Sequence, residues 1–320
     1  LQVQYTNLMY PKILKENGYH VGFYGKLGVA IDRPEQYFDE SDFYDRGPRS
    51  DKGGYFYKNI GADTVHLTRY AGQQAQDFIS NAPKNKPFCL SVSFSAPHGH
   101  DSSVEQYFWQ EKSNSLYEDV VFPKPSLGED LYFDRLPIEV KNGFNRVRWK
   151  WRFDTPEKYQ RMMKGYYRMI TEIDDEIGAL RNLLAKKGQA ENTIFIIMGD
   201  NGYFTGDRQL ADKWLMYDPS IRVPLIIYDP RLPNKSRTVS DMVLNIDITQ
   251  SILDFAEIKS PVNYQGESLK AYLNRPDYSL HRDFILIEHL WKLPDIPSSE
   301  GIRTDKWKYF KYRYIQAPEE

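Results

Sequence analysis

The chain has 320 residues, 41% hydrophobic and 27% charged, with a formal net charge of −2. Those proportions suit one large α/β domain plus part of a second. A balance this close to neutral supplies no overall field to recruit nucleic acid or an anionic membrane, and no stretch is apolar for long enough to span a bilayer. Cys89 is the single cysteine, so no intrachain disulfide can form; its apolar strand suits a small buried thiol. The chain starts at Leu1 rather than Met, which reads as a processed or partial form and leaves location open.

In chain order, Met9, Ile13 and Leu14 predict a short helix with Pro11 in its first turn and Gly18 as its C-cap. His20 to Tyr24 predicts a strand, with Val21 and Phe23 inward, ending at Gly25-Lys26. Residues 32–62 lack a period and read as a long irregular connection. Leu67, Tyr70, Ala71, Ala75, Phe78 and Ile79 then form a helical stripe. A strand follows over 88–95, and it opens into the polar loop Ala96-Pro97-His98-Gly99-His100-Asp101. Residues 101–153 are again irregular and rich in aromatics, as loops that shape binding sites are.

Thr155 is a good N-cap and Pro156 suits the first helical position. Tyr159, Met163, Tyr166, Ile170, Ile173, Ile177, Leu180 and Leu184 continue a helix to Gly188, with Asp174-Asp175-Glu176 mostly on its solvated face. The β-branched runs 193–198 and 223–228 predict buried parallel strands. Residues 246–258 read as a helix with Ile248, Ile252 and Ala256 inward, and 283–289 and 306–314 as antiparallel strands. The expected fold is α/β, a mostly parallel sheet sandwiched by helices over 1–274. A smaller antiparallel α+β unit is expected to begin at 275–320.

Four positions at strand ends, or in the loop that follows, carry the chemistry: Lys26, His98, Asp200-Asn201 and Lys213. In open α/β sheets ligands bind outside the carboxyl ends of the strands, where distant segments converge. Asp200 and Asn201 offer one charged and one neutral oxygen, the hard-ligand chemistry of Ca²⁺. Asp-Asn-Gly also makes simple turns, but no second alternating run follows to complete a hairpin. Two lysines, a histidine and a hard-metal pair suit a tetrahedral oxyanion ester: cations neutralise charge while imidazole moves a proton.

Several segments in this order carry a resemblance: Asn17-Gly18-Tyr19 with Gly25-Lys26; Ser93-Phe94-Ser95-Ala96-Pro97-His98; and Gly199-Asp200-Asn201-Gly202 with Gly206 and Lys213. Arg222-Val223-Pro224-Leu225 and Gly301 to Tyr309 complete the set. The chain resembles a type I sulfatase of the alkaline-phosphatase-like superfamily over nearly its whole length. The resemblance implies that Asp200 and Asn201 ligate one Ca²⁺, and that Lys26, His98 and Lys213 hold the sulfate group and assist its turnover. It further implies a formylglycine nucleophile, a sulfated carbohydrate or other sulfate ester as partner, and a periplasmic or extracellular location. Trp149, Trp151 and Phe153 suggest stacking on sugars.

Two departures qualify the match. Family members often read Gly-Lys-Trp-His after the first strand, whereas this chain reads Gly25-Lys26-Leu27-Gly28; that histidine's role is vacant or supplied elsewhere, with His100 the candidate. The Cys/Ser-x-Pro-x-Arg segment that becomes formylglycine does not occur: Ser95-Ala96-Pro97 lacks the arginine, and Cys89 lacks the proline. The 320 residues are therefore expected to be a fragment without a nucleophile, inactive by itself. The alternatives are a phosphodiesterase or phosphonate hydrolase of the same superfamily, for which two zinc ions would speak, and a non-catalytic binder of sulfated glycans.

Overall fold

Pro11 opens the first helix, α1 (Tyr10–Glu16), where a missing N–H costs nothing and its fixed φ is already helical. Gly18, at φ +87, ends it and turns the chain into β1 (His20–Gly25). The computed structural model describes residues 8–47, 55–101, 103–232, 236–275, 277–291, 293 and 295–313. Both faces of β1 are covered, so the expected inward-outward alternation does not hold. Val21 and Phe23 pack with Ile13, Leu14 and Phe38, while His20 and Tyr24 meet Phe78 on the other side. Cys89 lies beside the first of these clusters, and burial pushes its thiol up to about 12.

The centre of the parallel sheet is β1, flanked by β2 (Glu40–Phe43) and β5 (Phe88–Ser93). The stretch 32–62 is thus not wholly irregular. β2 is a polar edge strand, Glu-Ser-Asp-Phe, with no apolar signature to betray it. β3 (Tyr57–Ile60) and β4 (Asp63–His66) form a hairpin that leads into α2 (Leu67–Asn81), whose first turn is capped by the His66 ring.

The segment 101–153 carries α3 (Asp130–Asp134), α4 (Ile138–Lys141) and α5 (Phe144–Arg152). Two of its aromatics are structural rather than free to stack on sugar. Phe153 is buried against Tyr159, and Trp149 packs on the core with the Arg146 guanidinium 4.0 Å from its ring centre. Trp151 meets Phe144 edge-on.

Thr155 caps α6 (Pro156–Lys186) by accepting from Lys158 N. Its stripe departs from expectation at two places: Ile170 is exposed, and Glu176 is buried. Where α6 crosses α2, Gly72 leaves room for the Glu176 carboxylate, which pairs with Arg69 at 3.1 Å. A buried carboxylate needs such a partner.

β6 (Phe195–Met198) and β9 (Leu225–Tyr228) pair antiparallel, not parallel as expected. Parallel pairing needs a long crossover, usually helical. Here the connection 199–224 carries no crossover helix, only β7 (Phe204–Thr205) against β8 (Ala211–Asp212) and the single turn α7 (Asp218–Ile221). Met198, Ile226 and Tyr228 accordingly remain exposed. α8 (Ile246–Phe255) buries Ile248 and Leu253, with Ile252 only half-buried, and α9 (Lys270–Asn274) follows.

The C-terminal antiparallel sheet runs β10 (Ile285–His289), β11 (Ser298–Arg303) and β12 (Lys308–Arg313), with β11 in the middle. β11 went unpredicted because its start is small and polar, and Ser298 and Ser299 are buried where apolar residues would have signalled a strand. The fold is α/β: a parallel sheet flanked by helices, with a smaller antiparallel sheet towards the C-terminal end.

Gly25 sets the end of β1, and with it Lys26. At φ +109, a Cβ there would lie 2.0 Å from the Ser93 carbonyl, which instead accepts from Lys26 N at 3.0 Å. Gly18 also has positive φ, but nothing lies within 4 Å of its would-be Cβ. Gly18→Ala should therefore cost about 1–2 kcal/mol, the backbone term alone. Gly25→Ala should cost at least about 2 kcal/mol more, because the β1–β5 pairing must open. Urea unfolding of both variants checks the ordering; equal losses would contradict it.

Candidate functional site

Each basic side chain of the site stands just beyond a strand, where the chain leaves the sheet and the side chain is free to turn inward. Lys26 follows β1, Arg46 lies three residues past β2, His98 lies in the loop after β5, and Lys213 follows β8. The loop after β5 is pinned by Tyr55, whose hydroxyl donates to the His98 carbonyl at 2.6 Å. Asn145 of α5 holds the Lys213 segment by donating to the Ala211 and Lys213 carbonyls at 2.8 and 2.9 Å.

Lys213 Nζ lies 3.0 Å from His98 Nε2. An ammonium has no acceptor, so lysine donates and Nε2 accepts. A neutral imidazole accepts at one nitrogen only, so Nδ1 carries the proton and donates it to the Gly99 carbonyl at 2.6 Å. Arg46 Nη1 converges on the same carbonyl and lies 2.7 Å from Nδ1, a donor facing a donor. Burial, then the Lys213 and Arg46 charges, with Lys26 farther off, push His98 down to about 3. At neutral pH this ring is uncharged.

Burial likewise lowers the proton affinity of Lys213, while Asp212 and Asp200 oppose that shift and Lys26 adds to it. Lys26, His98, Asp200 and Lys213 therefore occupy one electrostatic neighbourhood. Asp45 balances part of the charge. Its carboxylate meets Lys26 at 3.3 Å and Arg46 at 3.2 Å, and accepts from Ser95 Oγ at 3.0 Å. Burial works against that charge, yet Arg46, its backbone N–H, Lys26 and Ser95 together hold the carboxyl down at about 2.

Asp200 Oδ1 accepts from Asn201 N at 2.9 Å, and Asn201 turns its amide nitrogen to the Gly202 carbonyl at 2.8 Å. That leaves the Asn201 amide oxygen and one Asp200 carboxylate oxygen as hard donors, the right chemistry for Ca²⁺. They fall short in number: Ca²⁺ takes about 6–8 oxygens, and among the described residues no group of three or more His, Cys, Asp or Glu is placed to hold a metal. The pair fits part of such a shell. His100 Nε2 lies 3.2 Å from the carbonyl of Gly47, the residue after Arg46.

Several residues of this neighbourhood escaped sequence reasoning. Asp45 and Arg46 were hidden because β2 was not recognised. Behind Lys213 lies a lattice of two arginines and two carboxylates, buried except for the half-buried Asp101. Arg148 reaches Asp101 at 2.7 Å and Asp212 at 3.0 Å, and Arg152 pairs with Asp101 and approaches Asp212 at 3.6 Å. The four-residue spacing of Arg148 and Arg152 on α5 was the available signal, since it puts both on one helix face.

Comparison with known proteins identifies the family. The Sulfatase family model matches residues 4–258, and the model described as N-sulphoglucosamine sulphohydrolase, C-terminal, matches residues 206–319. An N-acetylglucosamine-6-O-sulfatase of Bacteroides thetaiotaomicron is 26% identical, across 95% of this chain and 64% of its own length. An arylsulfatase of Clostridium perfringens is 32% identical, across 78% of this chain and 50% of its own. The chain thus spans between half and about two thirds of the length of these relatives. A solved structure in complex with its substrate D-glucosamine-2-N,6-O-disulfate superposes with a TM-score of 0.73 at 24% identity, covering 94% of this chain and 72% of that one. A phosphonate monoester hydrolase from Silicibacter pomeroyi shares the fold at TM-score 0.69 and 18% identity, covering 95% of this chain and 71% of its own. With a family model matched across most of its length, the chain belongs to the sulfatase family.

Proposed function

We propose that this chain forms the sulfate-binding part of a sulfuric ester hydrolase acting on a sulfated carbohydrate. One observation carries the reading: Lys26, Arg46 and Lys213 gather around an imidazole kept neutral by burial and by their charges. Such a cluster is costly by itself and is relieved by an oxyanion, which supplies the missing negative charge. The sugar assignment is supported by the relatives named for N-acetylglucosamine 6-O-sulfate and by the fold shared with the disulfated-glucosamine complex.

In this reading Lys26 and Lys213 donate to the sulfate oxygens. Lys213 carries the proton that the leaving alcohol takes, because His98 stays uncharged at neutral pH; His98 orients the ammonium through Nε2. Asp200 and Asn201 supply two ligands to Ca²⁺, which when bound adds positive charge at the ester oxygens. His100, whose Nε2 lies 3.2 Å from the carbonyl of Gly47 next to Arg46, keeps its proposed place on the substrate side of the site. The nucleophile is a formylglycine made in a Cys/Ser-x-Pro-x-Arg segment. None occurs in these 320 residues, so hydrolysis is proposed for a protein in which that segment is supplied. Export to the periplasm or outside the cell belongs to the same reading. Among the described residues no helix is long and apolar enough to cross a membrane.

Sulfate release should be seen from sulfated glucosamine or a related sulfated sugar when the nucleophile-bearing segment is present. Lys213→Ala should lower kcat by about 10²–10³. Preferential hydrolysis of phosphonate monoesters in the same assay, with two bound zinc ions, would reverse the assignment.

The neutral ring also has a stability signature. Folded His98 titrates at about 3 against an ordinary 6.5, so the unfolded chain binds more protons between those values. Its contribution is complete above pH 6.5 and is lost as pH falls towards 3. Asp45, at about 2 against 3.8, adds a loss of the same sign lower down. Unfolding free energies from urea titration should fall between pH 6.5 and 4.5 by on the order of 2 kcal/mol more in the parent than in His98→Gln. Parallel pH profiles would show that His98 is not held neutral.

A further inference from the structure

Trp307 leaves 80% of its surface to solvent. It closes the β11–β12 turn, fixed by Thr304 N donating to the Trp307 carbonyl at 2.8 Å and by Trp307 N donating to Thr304 Oγ1 at 3.0 Å. This turn, 304–307, forms one wall of a cleft of about 360 Å³, in the lower range for small-molecule sites. Asp241, Met242, Ser279, His281, Arg282 and Asp283 form the other.

The second wall is rigid where it is charged and paired. Both oxygens of buried Asp247 clamp Arg282, at 3.0 and 2.9 Å, and Arg282 donates to the Met242 carbonyl at 2.8 Å. Asp241 accepts from the Tyr272 hydroxyl and from Leu280 N. Around the mouth the situation differs. Among the described residues, no hydrogen bond or ion pair engages the side chains of His281, Asp283, Asp305 or Lys306. The cleft therefore combines a bare indole face with open acceptors and donors.

Its charge decides what fits. Asp241, Asp283 and Asp305 face Arg282 and Lys306, an excess of one negative charge with histidine neutral. A sulfate or phosphate group would meet that excess unfavourably. A ring with an apolar C–H face and hydroxyls along its edge would not: the indole takes the face, the carboxylates accept, and lysine and histidine donate. The run 241–247 joins this cleft to the proposed sulfate site, since Asn245 Nδ2 lies 3.5 Å from the Asp200 carbonyl.

We propose that this cleft is a second saccharide site, taking one uncharged sugar ring stacked on Trp307 and hydrogen-bonded to Asp283, Asp305, Lys306 and His281. Choosing a sugar among ring-bearing polyols rests on the sulfated-carbohydrate reading above. In a glycan substrate the site holds an unsulfated unit.

Saturation-transfer NMR tests it, with N-acetylglucosamine as the neutral probe and glucosamine 6-sulfate as the anionic one. Trp307→Ala, on an exposed turn, should weaken N-acetylglucosamine binding at least tenfold and leave glucosamine 6-sulfate unchanged. Lys213→Ala should do the reverse. No neutral-sugar binding by the parent at 20-fold excess over millimolar protein (about 20 mM), or binding untouched by Trp307→Ala, would overturn the cleft assignment alone. Glucosamine 6-sulfate binding indifferent to Lys213→Ala would instead overturn the sulfate-site reading.

Discussion

A single hydrogen bond organises this molecule: the Lys213 ammonium donating into the His98 imidazole across 3.0 Å. It joins segments 115 residues apart, and it can exist only if the histidine is uncharged. That condition is met by crowding. Burial removes the water that would otherwise stabilise an imidazolium, Arg46 stands on the other side of the ring from Lys213, and Lys26 adds its charge. The same crowding of positive charge that helps suppress protonation is what the proposed tetrahedral anion would relieve, so the electrostatics of the cluster and the proposed chemistry share a cause.

Cations held this close need a scaffold that cannot relax. On one side Asp45 binds both Lys26 and Arg46, and Ser95 ties that carboxylate to the loop bearing His98. On the other, Arg148 and Arg152 with Asp101 and Asp212 form a charge-balanced lattice directly behind Lys213. Buried pairs of this kind add little net stability, and breaking one member typically costs about 3–5 kcal/mol. Their value here is positional: Asp101 belongs to the loop after His98, and Asp212 precedes Lys213, so α5 holds both loops in register.

Much of the site was readable from residues because an α/β sheet delivers its strand ends to one rim. Lys26, His98 and Lys213 each stand at the end of a run whose composition marks a strand or a turn out of one, and the structure brings them together. Arg46 was hidden for the opposite reason. Its strand is Glu-Ser-Asp-Phe, paired through backbone alone at a sheet edge, and side-chain hydrophobicity carries no trace of that pairing. The direction of β6 was equally invisible, since an apolar run reads the same whichever way its neighbour points. Trp149 and Phe153 mislead in another way: composition shows a ring but not whether it faces solvent or core. Trp307, marked in sequence only as part of a motif, is among the rings left exposed.

The claim on which the account turns is that His98 is a neutral ring wedged among cations that await an anion. Nitrogen-15 NMR of the imidazole, titrated with pH with and without glucosamine 6-sulfate, measures it directly. The account predicts an Nδ1–H tautomer that protonates only near pH 3, as His98's surroundings dictate, and a midpoint that climbs once the sulfate ester is bound. Titration at the ordinary histidine value, unmoved by the ligand, would contradict it.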